Sequence, residues 1–123
     1  MSDEISRLPP QVQERLLRLQ QLQQTLQSVL TQKQQVEMEK TEVDQTVAEL
    51  QKTADDTIIY KAIGSLMVRA DKAKINEELV ERKELLNTRS TVLARQEERL
   101  RSQVKEAQSK LQEDLSPVSQ SSQ

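Results

Sequence analysis

Two long stretches of this chain lack both glycine and proline, and they flank the only glycine in the sequence. The first stretch runs from Gln11 to Ala62, and the second runs from about Lys72 to Asp114. Glycine and proline are the residues that most often interrupt helices, so stretches of this length permit long helices. The sequence therefore allows long helical segments with one interruption near the middle. Its composition would also suit disorder, so the spacing of the apolar residues must decide.

Apolar residues recur at helical spacing in the first stretch and predict a helix, arm one, over residues 11–52. From Leu22 onward the spacing alternates between four and three residues if Lys33 and Lys40 are counted, which is the heptad pattern of a coiled coil. The step from Leu19 to Leu22 breaks this phase, so we expect a local stammer there. Both lysines weaken the packing of the seam, although their aliphatic stems can cover it while the amines reach water.

A second heptad pattern predicts another helix, arm two, over residues 72–115, with Asp71 as its N-cap. A leucine or alanine recurs every seven residues, at Leu79, Leu86, Leu93, Leu100 and Ala107. The other seam position is polar in mid-arm, where it is occupied by Lys83, Ser90 and Glu97. Pro117 ends the arm. Residues 1–10 and 116–123 are expected to be a lead-in and a flexible tail.

The two arms have nearly equal predicted lengths, about 63–65 Å each from the rise of an α-helix. Equal arms joined by a short connection favour an αα-hairpin that pairs antiparallel. In such a hairpin the start of arm one lies beside the end of arm two. A parallel dimer formed by each arm separately is the alternative that the pattern leaves open.

The connection between the arms, residues 53–71, has a different pattern. β-Branched and apolar residues stand on both sides of Gly64-Ser65, and a tight turn there needs the positive φ that glycine adopts readily. We predict strands over Thr57–Ala62 and Leu66–Ala70. The predicted fold class is therefore mainly α: a long antiparallel coiled-coil helical hairpin with a single β-hairpin at the bend.

The predicted β-hairpin is apolar on both faces. Two strands alone are marginally stable in water, and their edges and apolar faces need partners. We therefore predict an oligomer joined through these hairpins, while an irregular apolar loop on a monomeric helical hairpin is the alternative. The residues assigned to this joint are Ile58, Ile59, Tyr60, Ile63, Gly64, Leu66, Met67 and Val68.

Apolar residues are also in surplus where the free ends of the two arms would meet. A frayed end would expose part of this surface, whereas packing against each other within the seam is the alternative for each of these residues. They are Leu8, Val12, Leu16, Leu17, Leu19, Val104, Ala107, Leu111 and Leu115.

Composition argues against most catalytic and metal chemistry. The chain has no Cys, no His and one Gly, which removes thiol nucleophiles, Ser-His triads, the usual zinc sites and Gly-rich phosphate loops. Its acids follow a helical surface pattern without a pocket, so we expect neither an enzyme nor a cofactor. No apolar run is long enough for a membrane span, and no secretory signal is expected. No basic helix precedes the leucine repeat, so we expect no nucleic acid partner.

The hairpin sequence Asp55–Val68 resembles the hairpin signature of archaeal-type prefoldin β subunits. Leu8–Gln13 and Leu93–Glu97 are similar to the same family, and the resemblance spans about Leu8 to Leu115. The connection has room for one hairpin, as in the β class, whereas the α class carries two and needs a longer insert.

The resemblance implies a cytoplasmic chaperone subunit that works without nucleotide. Its partners would be prefoldin α-type subunits and further copies of itself, with two α-type and four β-type subunits joined through their hairpins into a β-barrel body. Six coiled-coil arms would hold unfolded client proteins at their tips, by avidity, and pass them to a group II chaperonin. The resemblance thus makes the apolar residues at the paired arm ends the predicted client-binding residues. A structural coiled-coil stalk or tether without client binding is the alternative, although a spacer has no need of a two-faced apolar hairpin.

Overall fold

The computed structural model describes residues 7–116; residues 1–6 of the predicted lead-in and 117–123 of the predicted tail lie outside this part. Its elements, in chain order, are helix α1 (Pro10–Lys52), strand β1 (Ile59–Ile63), strand β2 (Leu66–Ala70) and helix α2 (Lys72–Leu115). The predicted fold class is confirmed, because two long helices flank one antiparallel β-hairpin.

Strand β2 has the predicted limits, but β1 begins two residues later and ends one residue later than predicted. The cause is a turn immediately before it. The Thr57 amide N–H donates to the Ala54 carbonyl at 3.1 Å, so residue 57 belongs to the turn that leaves α1. The strand begins only after that turn has closed.

Each helix begins at a residue suited to the position. Pro10 is the first residue of α1, where its missing N–H has no intrahelical partner to lose. The Gln13 amide N–H donates to the Pro9 carbonyl at 3.1 Å, which closes the first turn. At the start of α2, the carbonyl of Asp71 accepts the Ile75 amide N–H at 2.9 Å. The backbone of Asp71 therefore stands at the predicted N-cap position.

The chain divides into two compact units, and each contains a segment of both helices. We call residues 1–32 with 93–123 the terminal unit, and residues 33–92 the hairpin unit. In the described part of the terminal unit, Val12 and Leu19 of α1 form a buried cluster with Leu111 of α2. The start of α1 therefore lies beside the end of α2, as antiparallel pairing requires.

The seam residues of α1 are buried at the heptad positions. The buried residues are seven apart from Val12 to Leu19 and again from Leu22 to Val29, but only three residues separate Leu19 from Leu22 within an uninterrupted helix. The phase of burial therefore changes at the predicted step. In the hairpin unit the buried residues of α1 return at seven-residue intervals, at Val36, Val43 and Leu50.

Polar seam residues of the hairpin unit contact the opposite helix. Lys83 Nζ lies 2.6 Å from Asp44 Oδ1, and Ser90 Oγ donates to Glu37 Oε1 at 3.1 Å. The partners run in opposite order along α1 and α2, so the helices are antiparallel here too. Exposed ion pairs of this kind contribute roughly 0.2–1 kcal/mol each, so their main effect is on the register of the two helices.

Lys72 ties the end of α1 to the start of α2. Its Nζ donates to the Thr53 carbonyl at 2.7 Å and lies 3.3 Å from Asp55 Oδ1. The Thr53 hydroxyl in turn donates to the Leu50 carbonyl at 2.6 Å. A cation beside the last carbonyls of a helix is favoured by the helix dipole. These contacts fix the point at which the chain leaves α1 for the β-hairpin.

A pair of adjacent leucines in α2 tests the assigned seam. Leu86 is 0% exposed, whereas Leu85 is 45% exposed. We expect Leu86→Ala to lower the free energy of unfolding by about 2–5 kcal/mol, because it leaves a cavity in the seam. Leu85→Ala is the matched control and should change it by less than about 0.5 kcal/mol. Denaturant unfolding followed by far-UV circular dichroism measures both, and equal effects would contradict this seam.

Candidate assembly and client-binding sites

The pairing register of β1 and β2 assigns every hairpin side chain to one of two faces. Residues directly opposite each other share a face, because side chains alternate along a strand. Face one carries Ile59, Lys61, Ile63, Leu66, Val68 and Ala70. Face two carries Tyr60, Ala62, Met67 and Arg69. Large apolar residues therefore lie on both faces, as the alternation in the sequence predicts.

Gly64 and Ser65 form the two-residue turn that joins the strands. Gly64 has φ of +58°, and no non-glycine residue of the described range 7–116 has a positive φ. Glycine with positive φ at the first central position is typical of a type II′ turn, whose twist suits a hairpin. A Cβ atom added at position 64 would have no heavy atom of a non-adjacent residue within 4 Å. The turn therefore requires glycine for its backbone conformation and not for space.

The apolar side chains of the hairpin are largely exposed in the single chain. Six of the predicted joint residues are between 43% and 67% exposed, namely Ile58, Tyr60, Ile63, Leu66, Met67 and Val68. The sheet has only two strands within the described residues, so both of its edges are open. Exposed apolar surface on two faces, together with open edges, is what a protein–protein interface buries.

The two faces differ in their contacts with the rest of the hairpin unit. On face one, Lys61 Nζ lies 2.8 Å from Glu78 Oε2 of α2, and Ile59 is half-buried. On face two, Tyr60 is 57% exposed and Met67 is 67% exposed. An ion pair thus links the base of face one to α2, while Leu66 at the turn end of that face is as exposed as Met67 on face two.

The predicted client-binding residues fall into three groups within the terminal unit. The buried cluster consists of Val12, Leu19 and Leu111. Partly buried side chains packed against it are Leu8, Leu16, Val104 and Ala107. The exposed residues are Leu17 at 56% and Leu115 at 52%. Most of the predicted residues therefore pack within the seam, which was the alternative role for them. Leu17 and Leu115 are the two that remain exposed.

Each exposed leucine of the terminal unit borders a shallow groove. Leu17 lines one with Pro10 and Leu16 on α1. Leu115 lines another with Leu19 and Leu111. Most of the remaining lining residues of both grooves are glutamines, which surround the apolar surface with uncharged polar groups. Sequence reasoning missed Pro10 as part of such a surface, because it was assigned only a role in starting the helix.

An ion pair also joins the two helices in the terminal unit. Arg15 Nη1 contacts Asp114 Oδ2, and the two side chains are only 32% and 25% exposed. Partial burial makes such a pair less sensitive to salt than a fully exposed one. No sequence pattern indicated this pair, because its members lie 99 positions apart.

The described part of the chain contains neither a cluster of metal-binding side chains nor a membrane-spanning helix. Within residues 7–116, no three or more His, Cys, Asp or Glu side chains are grouped so that they could hold a metal ion. Neither α1 nor α2, the two helices that the structure describes, is long and apolar enough to cross a membrane.

Taken together, fold and hairpin define a class of protein: a two-helix coiled-coil subunit with a β-hairpin between its arms. Residues 13–117 match the model of a family described as prefoldin subunit. The prefoldin subunit beta of Archaeoglobus fulgidus is 49% identical over 110 residues, which cover 89% of this chain and 95% of that protein. The prefoldin subunit beta of Methanothrix thermoacetophila is 46% identical over 108 residues, which cover 88% and 90%.

A solved structure agrees with these sequence matches. The crystal structure of the prefoldin beta subunit from Thermococcus strain KS-1 has a TM-score of 0.79 and 40% identity, covering 90% of this chain and 97% of that chain. The chain therefore belongs to the prefoldin subunit family, and these relatives are β subunits, as the hairpin sequence predicts.

Gly64 offers a direct test of the turn. Gly64→Ala should destabilise the β-hairpin by about 1–2 kcal/mol, because an L-residue resists the left-handed backbone region. Hydrogen exchange of the β1 and β2 amides should accelerate about tenfold, while exchange in α1 and α2 stays unchanged. Ser65→Ala, whose position has negative φ, is the control. Unchanged exchange in the Gly64 variant would rule out the requirement for glycine.

Proposed function

We propose that this chain is a non-catalytic, ATP-independent chaperone subunit. Its hairpin joins it to prefoldin α-type subunits and to further copies of itself. The paired ends of its arms capture non-native proteins and pass them to a group II chaperonin. The observation that carries the proposal is the exposure of six large joint residues, 43–67%, on a sheet with two open edges.

The proposed joint has enough apolar surface to support a stable interface. Fully burying a large apolar side chain contributes about 1.5–3 kcal/mol. The joint residues are about half exposed, so each adds about 1 kcal/mol on burial, and six give several kcal/mol per subunit before the cost of association. Strand pairing at the open edges adds backbone hydrogen bonds and fixes the geometry of the contact.

The proposed client site has less apolar surface. Leu17 and Leu115 are the exposed members of the predicted set, and each borders a groove with packed neighbours. Such a surface holds an apolar side chain of a client weakly. Several subunits in one particle would raise the overall affinity by avidity, without any one contact being strong. Weak individual contacts also allow the client to be released without nucleotide.

A structural tether without client binding is the second candidate function. It is favoured by the packing of Val12, Leu19 and Leu111 within the terminal unit, since packed residues are not available to clients. This candidate predicts that the exposed leucines have no role. The two candidate functions therefore make different predictions for Leu17 and Leu115. Both assign the buried cluster to packing between the helices.

Two valines of similar exposure test the joint. Val68 on face one is 43% exposed, and Val92 on α2 is 45% exposed. Val68→Asp should prevent assembly with an α-type prefoldin subunit, because it buries an unpaired charge in the joint. Val92→Asp should assemble normally. Light scattering measures particle mass, and circular dichroism should show retained helicity in both. Full-size particles from the Val68 variant would overturn the proposed joint.

Two pairs of exposed residues test client capture. Leu17→Ser with Leu115→Ser should weaken suppression of the aggregation of a denatured client severalfold, since it removes the large exposed apolar side chains from the described part of the terminal unit. Particle mass should be unchanged, because the hairpin is intact. The control is Leu85→Ser with Val92→Ser, both 45% exposed in the hairpin unit. Wild-type protection by the first variant would favour the tether.

A further inference from the structure

Two methionines of this chain are exposed to a similar extent but lie in different settings. Met67 on face two of the hairpin is 67% exposed, and Met38 on α1 is 61% exposed. Exposure governs how readily an oxidant reaches a thioether, so both should react with peroxide at similar rates. Their surroundings differ in that only Met67 lies on the surface proposed to be buried on assembly.

Met67 occupies the part of the hairpin that its own chain leaves uncovered. It pairs with Ala62, whose side chain is too short to shield the sulfur. Its neighbours on face two, Tyr60 and Arg69, are exposed as well. Face one, in contrast, has an ion pair to α2, between Lys61 and Glu78. In the free subunit, the thioether of Met67 is therefore open to solvent, and assembly would cover it.

We propose that Met67 is an oxidation site through which peroxide controls assembly, an inference that rests on the proposed role of the hairpin as the joint. The sulfur of Met67 attacks one oxygen of a peroxide. An S–O bond forms as the O–O bond breaks, the sulfur loses two electrons, and hydrogen peroxide is reduced to water. The product is methionine sulfoxide, which a methionine sulfoxide reductase can return to the thioether.

Oxidation changes the physical character of the joint. The thioether is a soft apolar group that adapts to a partner surface. The sulfoxide carries a strong hydrogen-bond acceptor, and burying such a group without a donor is unfavourable. A sulfoxide at Met38 remains in solvent on the arm and has no such effect. The free subunit is thus open to oxidation at Met67, and the assembled particle is protected from oxidation there.

The experiment compares wild type, Met38→Leu and Met67→Leu as full-length chains. Each free subunit is treated with hydrogen peroxide, freed of oxidant and mixed with an untreated α-type prefoldin subunit. Each treated sample is compared with its own untreated sample, so any effect of the substitution itself cancels. Light scattering and native mass measurement give assembly, and peptide mass spectrometry gives the oxidised fraction at each methionine.

Peroxide should weaken assembly of wild type and of Met38→Leu at least tenfold, and it should leave assembly of Met67→Leu unchanged. Reductase treatment should restore the wild type. In particles assembled before treatment, Met38 should oxidise and Met67 should not. Complete oxidation of Met67 with undiminished assembly would overturn this inference while leaving the joint itself intact. Failure of the joint would instead appear as normal assembly of Val68→Asp.

Discussion

A pair of helices can bury only one stripe of side chains on each, and every other feature of this protein follows from that limit. Tyrosine is its one aromatic residue, and only 34% of its residues are hydrophobic, so the chain has little with which to fill a compact core. The stripe is filled by residues such as Val36, Val43 and Leu86. Apolar residues that do not fit this stripe stay exposed. Most of them lie in the β-hairpin, Leu17 and Leu115 lie in the terminal unit, and Met38, Val80, Leu85 and Val92 lie along the helices of the hairpin unit.

The stripe alone does not specify how the helices align. A repeat of seven residues looks the same after a shift of one heptad, so apolar packing permits several registers. Contacts between unlike polar groups remove this ambiguity, because Lys83 meets Asp44 and Arg15 meets Asp114 in one register only. Each pair adds little stability where it is exposed. A seam that is polar in the middle therefore gives up some packing and gains a defined alignment.

The same limit explains which features were predictable from the sequence. Heptad spacing identified both helices, and the single glycine identified the turn, because each signal is local. The start of β1 was misplaced because a hydrogen bond between Thr57 and Ala54 outweighs the β-branched sequence. Heptad spacing also separates Leu16 from Leu17, because Val12, Leu16 and Leu19 are four and three residues apart and Leu17 falls outside this series. The Arg15–Asp114 pair was unpredictable, since it depends on the register of two distant segments.

The two exposed apolar surfaces have different physical character, and this difference suits the different functions proposed for them. The hairpin presents its side chains on a paired backbone with open edges, so a partner strand gains hydrogen bonds and apolar burial together. Leu17 lies within α1, where the backbone groups are already bonded, and Leu115 is the last residue of α2. Neither offers a strand edge, so a client gains mainly the apolar contact. The first arrangement demands one geometry and favours a lasting joint. The second accepts many sequences weakly, and it becomes selective for unfolded chains because only these offer several apolar side chains at once.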